Sequence, residues 1–235
     1  MQPKPESAMK LTYFGHSAFQ IETNGTTLLF DPFITGNPHT QGIVTAAQLR
    51  PDVILLTHAH GDHWGDALEI ARRTNALLVA NFEITQYAQK HGHRNVHPMN
   101  TGGSWQFPWG RVTQTYARHS SSFPDGTYGG NPNGYILELE GKVIYDLGDT
   151  CPFAEMAWYG EDYAIDVALM PVGDLFTMGT EGAVRAAKML KPKLIIPIHY
   201  NTFPPIQIDI EQCRQRLEQE GFTMRVLKPG ESLVI

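Results

Sequence analysis

Within six positions the chain places His58, His60, Asp62 and His63, in the stretch LLTHAHGDHWGD (55–66), directly behind an apolar run. Three imidazoles and a carboxylate so close together have no packing rationale at a strand-to-helix turn, but they are donors that divalent transition metals take. In the HxHxDH spacing the backbone leaves a strand and enters a helix, so alternate residues aim at one point and the Asp-His pair at a neighbouring one. Three further apolar runs end in the same residue types: His119 follows VTQTYAR, Asp149 follows KVIYDLG, and His199 follows LIIPI. Strand ends on one edge of a sheet converge. The resulting five imidazoles and two carboxylates are about what two transition-metal ions need if one carboxylate bridges them.

Two such ions, roughly 3.5 to 4 Å apart, bring the pKa of a shared water from about 15.7 toward 7 and polarise a carbonyl or phosphoryl oxygen under attack. That chemistry needs no nucleophilic side chain, and the chain carries no GxSxG elbow. Asp62, a ligand with a free oxygen, is the natural group to orient the hydroxide and pass its proton to a leaving group. Zinc suits a His-rich set; manganese and iron also accept His/Asp sites.

Other polar residues carry weaker signals. His16 in GHS and Asp31 in DPF close early strands, where they either hold the second ring nitrogen of a ligating imidazole, touch substrate, or make a turn hydrogen bond. Tyr200 and Asn201 follow His199 and are candidates for the pocket wall. His91, His93 and His97 lie in and after a helix end with no acids nearby and are expected at the surface or in a helix cap; His39 sits in a loop. Cys151 is expected to pack.

The elements that position these groups can be read from apolar periodicity. LTYFG, SAFQIE and TTLLFDPF read as an antiparallel meander turning at Asn24-Gly25. DVILLTH is a strand buried on both faces, and WGDALEIARR a helix presenting Trp64, Ala67, Leu68 and Ala71. ALLVA and EITQYAQKHG repeat strand then helix, with Gly92 as the stop. RVTQTYARH, GYILELEGKVIYDLGD and DVALMPVGD give further strands, the middle pair turning at Glu140-Gly141. TEGAVRAAKML, KLIIPIHY, DIEQCRQRLEQEG and ESLVI then alternate helix and strand. The Gly-, Ser- and Pro-rich stretch 120–133 is a candidate rim of the site.

With 235 residues, 42% of them hydrophobic, the chain suits one domain over residues 9–235, behind a disordered extension at 1–8. Its net charge of −6, without a basic cluster, argues against nucleic acid as a partner. Two distant cysteines and no apolar span point to a reduced, cytoplasmic protein away from membranes, acting on a small molecule. Monomer and homo-oligomer are both left open.

The motifs THAHGDHWGD, FGHSAF, DPF, GNPNGYIL, YDLGDT, PVGDLFTMG and IPIHYNTFP together resemble the metallo-β-lactamase superfamily, and within it the small metal-dependent hydrolases related to ascorbate phosphate lactonases. The match runs from Met9 over nearly the whole chain. The resemblance implies an α/β fold, a four-layer αββα sandwich of two mixed β-sheets with the metals at one edge. It further implies that His58, His60 and His119 hold the first ion, Asp62, His63 and His199 the second, and that Asp149 bridges. Leu175 stands where such proteins more often carry a polar residue. His60 stands where oxygen-reducing diiron relatives have glutamate, which favours a hydrolytic pair.

The leading expectation is a binuclear hydrolase of a lactone, ester or phosphorylated sugar derivative. A phosphodiesterase or nuclease of the same superfamily is the second reading, disfavoured by the acidic charge. A metal-binding sensor or scaffold is the third, disfavoured by the complete ligand set.

Overall fold

A computed structural model describes residues 8–235. The expected extension over 1–8 therefore falls, but for the exposed Ala8, outside the described residues. The first half of the chain contributes β1 (Lys10–Gly15), β2 (Ala18–Thr23), β3 (Thr26–Phe30), β4 (Val53–Leu55), β5 (Leu77–Asn81) and β6 (Val96–Met99), with helices α1 (Gly61–Trp64), α2 (Ala67–Thr74) and α3 (Phe82–Lys90). The second contributes β7 (Ser104–Phe107), β8 (Gly110–Tyr116), β9 (Asn133–Leu139), β10 (Lys142–Asp146), β11 (Val167–Pro171) and β12 (Leu194–Ile198), with α4 (Met156–Asp162), α5 (Thr180–Leu190) and α6 (Ile210–Gln219). The last strand, β13 (Ser232–Val234), returns to the first sheet.

The sheets run β13-β1-β2-β3-β4-β5-β6 and β12-β11-β10-β9-β8-β7. Both are mixed: β1 to β3 and β7 to β10 pair antiparallel, whereas β3 to β6 and β10 to β12 pair parallel. Period-2 alternation sends Val53 and Leu55 of β4 to one face and Ile54 to the other. Val167 and Leu169 of β11 likewise face inward, Ala168 and Met170 outward. The inward residues of both sheets, among them Leu11, Phe19, Leu28, Leu137, Leu169 and Ile196, form the central core. The outward faces are covered by α2 and α3 on one side, through Ala67, Ile70 and Ile84, and by α4 to α6 on the other, through Met156, Ala183, Leu190 and Leu217. Four layers result, helix, sheet, sheet, helix, because each sheet has two apolar faces to bury.

Both hairpin turns form as the sequence predicts. Asn24 and Gly25 take φ 46° and 74°, and Glu140 and Gly141 take 49° and 75°, the paired positive values of the tight turn that matches strand twist. Elements the periodicity did not show are β6, β7 and α4. β6 tolerates Pro98 because it is an edge strand. Among the described residues no helix is long and apolar enough to cross a membrane.

Candidate metal centre

Past the end of β4 at Leu55, the chain runs through Leu56 and Thr57 to His58 and turns into α1, with His60 at its N-cap and Asp62 in its first turn. Asp31, at the end of neighbouring β3, fixes this corner. Its carboxylate accepts from Thr57 N–H (2.9 Å), from Thr57 Oγ–H (2.6 Å) and from His63 Nδ1–H (2.7 Å). Thr57 Oγ1 also lies 3.1 Å from His58 Nδ1. Two buried rings are thus locked at the nitrogens that face away from each other's shared neighbour, Asp149.

The second sheet brings the remaining groups. Gly148, at φ 60°, lets the chain after β10 pass so close to Asn133 O that a Cβ would lie 2.4 Å from it, and this places Asp149. His119 follows β8 and His199 follows β12. His199 itself has φ 54°, as Asp31 has 39° and His16 59°, the left-handed region in which Asp and His are over-represented among non-glycine residues. Asp149 Oδ2 lies 3.0 Å from His199 Nε2, 3.3 Å from His63 Nε2, 3.6 Å from His119 Nε2 and 3.9 Å from His58 Nε2. Asp62 Oδ2 is 3.1 Å from His16 Nε2 and 3.7 Å from His199 Nε2. His58 Nε2 is 3.0 Å from His60 Nδ1, and Ser120 Oγ is 3.4 Å from His60 Nε2.

Charge in this cluster is unbalanced in an informative way. Burial pushes His58, His60 and His119 below the ordinary imidazole value, and it takes His16 down to about 4. Burial works in the same direction on His63 and His199, but carboxylates override it. Asp149 and Asp31 hold His63 well above the ordinary value, and Asp149 lifts His199 to about 9. Burial would raise both acids, yet His199 and His63 hold Asp149 well below the carboxylate range, and His16 and His199 do the same for Asp62. His63 Nε2 and Asp149 Oδ1 are buried with no hydrogen-bond partner. An anionic oxygen ringed by four imidazole nitrogens, with such orphaned atoms, fits metal cations. The donor atoms fall into three overlapping groups, each within 4.8 Å: His58, His60 and His119; His58, His63 and Asp149; His16, Asp62, His63 and His199.

All seven residues read as ligands therefore meet at one edge, with Asp31 and His16 beside them. The side chains of Tyr200 and Asn201 turn elsewhere. Tyr200 packs among the residues under α5 and α6, and burial raises its phenol to about 12. Asn201 Oδ1 accepts from Ile208 N–H (2.7 Å) and its carbonyl from His39 Nε2–H (3.1 Å), so it shapes the loop after β12. His39, bland in sequence, is thus a brace of that loop. His91 caps α3 through Tyr87 O (2.9 Å) as expected. His93 is not at the surface: it is buried, donating to the carbonyls of Ala76 and Asn95 (both 3.0 Å). His97 lies in β6 against Trp105 and Phe107. The 120–133 stretch does reach the centre, held by Ser121 Oγ, which accepts from Ala59 N–H (3.1 Å), and by Asn81, which donates to Gly129 O and Asn131 O. Sequence reasoning missed Thr57 and Thr202, the hydroxyls that touch His58 and His16, and the rings of Phe33 and Phe203 flanking His16 at 5.7 and 5.5 Å. Only the place of Thr57 beside the histidine cluster could have marked one of them.

Comparison with known proteins identifies the family and the fold. Residues 10–199 match the family model described as a beta-lactamase superfamily domain. The chain is 51% identical to a UPF0173 metal-dependent hydrolase of Salinibacter ruber, over 97% of this chain and all of that one. It is 48% identical to another from Thermus thermophilus, over 96% of this chain and 98% of that one. Among solved structures, a metallo hydrolase of the archaeon Ignicoccus hospitalis superposes with a TM-score of 0.88 at 41% identity, covering 97% of this chain and 98% of that one.

Proposed function

Because the chain belongs to the beta-lactamase superfamily domain family and matches its metal-dependent hydrolases along nearly its whole length, we propose that it is a binuclear metal-dependent hydrolase of a small molecule. The observation that carries this reading is Asp149, whose Oδ2 has the Nε2 atoms of four histidines within 3.9 Å. His58, His60 and His119 would hold one ion, Asp62, His63 and His199 the other, with Asp149 between. Bound there, the ions supply Lewis acidity toward the substrate oxygen and make water acidic enough to attack at neutral pH.

The chain's own groups do the remaining work. Asp62, held ionised, makes no hydrogen bond through Oδ1 among the described residues, and that oxygen would accept from the attacking water and orient it. Asp31 and Thr57 keep the histidine rings in register. Phe33 and Phe203, 6.1 Å apart, offer apolar surface to the carbon skeleton of a lactone, ester or phosphorylated sugar derivative. Zinc fits the His-rich donors, and manganese or iron fits the same set. The net charge of −6 supports a small substrate rather than nucleic acid, and the reduced cysteines support the cytoplasm.

Metal analysis of the purified protein tests the reading, followed by turnover of a lactone, ester, thioester and phosphodiester panel with each metal restored. About two ions per chain are expected, removable by chelation with loss of activity. A metal-replete preparation holding no more than one ion overturns the binuclear centre. Exclusive phosphodiester turnover would overturn the substrate class.

A further inference from the structure

We propose that His16, in the turn between β1 and β2, is itself a ligand of the second ion, so that each half of the centre holds three imidazoles; the inference rests on the metal-centre reading above. Its first support is a likeness between two triads. The ring centroids of His58, His60 and His119 are 4.6, 5.1 and 5.1 Å apart. Those of His16, His63 and His199 are 4.1, 5.7 and 5.7 Å apart. In the second triad, as in the first, one ring nitrogen of each histidine lies within 4.8 Å of the others, here with an Asp62 oxygen in the same group.

The second support is how the ring is held. A metal-bound imidazole donates its other N–H to a fixed acceptor. His63 Nδ1 has Asp31 at 2.7 Å, and His58 Nδ1 has Thr57 Oγ1 at 3.1 Å. His16 Nδ1 has Thr202 Oγ1 at 2.9 Å. Thr202 Oγ1 also lies 3.3 Å from Tyr200 O, and with its proton given there the oxygen is free to accept from His16 Nδ1–H. The neutral ring then turns a bare Nε2 toward Asp62 Oδ2, 3.1 Å away. In that tautomer two lone pairs face each other, and a cation held between them would satisfy both.

The third support is placement. His16 is completely buried and left-handed at φ 59°, and its carbonyl accepts from His199 N–H at 2.9 Å and from Tyr13 Oη–H at 3.1 Å. The main chain of one ligand thus fixes the other. With His16 the second ion has a fuller protein donor set than the first. A position for substrate oxygen would then remain on the first ion, on the side where His119 and His60 are the more exposed rings.

The test uses the full chain, stripped of metal and reloaded with Co(II), and follows stoichiometry, affinity for each ion, and the hyperfine-shifted exchangeable N–H resonances of bound imidazoles. The parent should take two ions. His16→Gln keeps an amide able to donate to Asp62, yet should weaken the second ion by at least ~100-fold, above the range of a partner that only touches a ligand. It should also remove one shifted N–H resonance and leave the first ion unchanged. Thr202→Val, which keeps the imidazole, should weaken the second ion by only about 10-fold and move that same resonance. A His16→Gln protein that binds the second ion within twofold of the parent, with every shifted resonance in place, overturns the inference. Should the His16 variants not fold, a Thr202→Val spectrum identical to the parent's overturns it as well. A parent that takes only one ion would instead overturn the metal-centre reading, which keeps the two failures apart.

Discussion

His63 donates from Nδ1 to Asp31 Oδ2 at 2.7 Å, with both side chains buried, so the ring that closes the HxHxDH motif is oriented by a residue 32 positions earlier in the chain. The same carboxylate holds Thr57 by main chain and hydroxyl. It therefore sets the end of β4 and the start of α1 together.

Asp31→Asn should keep the shape of this corner while weakening the acceptor for His63. Metal affinity, measured by competition with a chromophoric chelator, is expected to fall by about 10- to 100-fold with the fold intact by circular dichroism. Unchanged affinity would show that Asp31 serves the turn alone.

Asp149→Ala removes the only carboxylate among the described residues that lies within 4 Å of both histidine groups. Two cations without it repel each other, so one of the two ions should be lost or bind far more weakly. Metal content per chain by mass spectrometry reads this directly.

Asp62→Asn separates binding from chemistry. An amide oxygen can still approach a cation, but the neutral group is a poor acceptor for water's proton. This variant should retain most of its metal and lose turnover by roughly 10²- to 10⁴-fold. Parental turnover with full metal content would make Asp62 a ligand only.

The metal-free chain should depend on pH through His199. Burial opposes its charge, but Asp149 lifts it from 6.5 to about 9 in the folded state. A raised folded pKa stabilises fully below the unfolded value, here about 6.5, and the contribution disappears as pH rises through about 9. Thermal unfolding in chelator should therefore move to lower temperature between pH 6.5 and 9, by several degrees. With metal bound the ring nitrogen holds no proton, and this trend should vanish. A flat metal-free profile would mean that His199 and Asp149 are not paired in the absence of ions.

Much of the centre is legible in sequence for a physical reason. Strands buried on both faces read as unbroken apolar runs, so a polar residue at their end stands out, as at His58, Asp149 and His199. What escaped depends on contacts distant in the chain or on irregular backbone. Thr202 is an unremarkable hydroxyl until β1 and β12 bring it to His16. His93 sits next to a helix stop, where exposure is the natural expectation, and is buried because two backbone carbonyls satisfy its ring. Tyr200 and Asn201 adjoin His199 in sequence, but positive φ at His199 and Asn201 turns the chain so that the Tyr200 ring packs under α5 and α6 and the Asn201 amide braces its own loop. β6 and β7 escaped because edge strands carry Pro98 and exposed polar residues in place of an apolar pattern.

The donors come from both sheets: His58, His60, Asp62 and His63 from the edge of the first, and His119, Asp149 and His199 from that of the second. In kinetic terms neither half of the chain can complete a site alone, since the group between the two clusters, Asp149, and the closing His199 belong to the later half. A newly made chain holding only the early motif would bind ions weakly and exchange them freely. If the cluster holds metal as proposed, selection of the ion would wait until the sheets have docked and would be made by the finished fold rather than by the early motif alone.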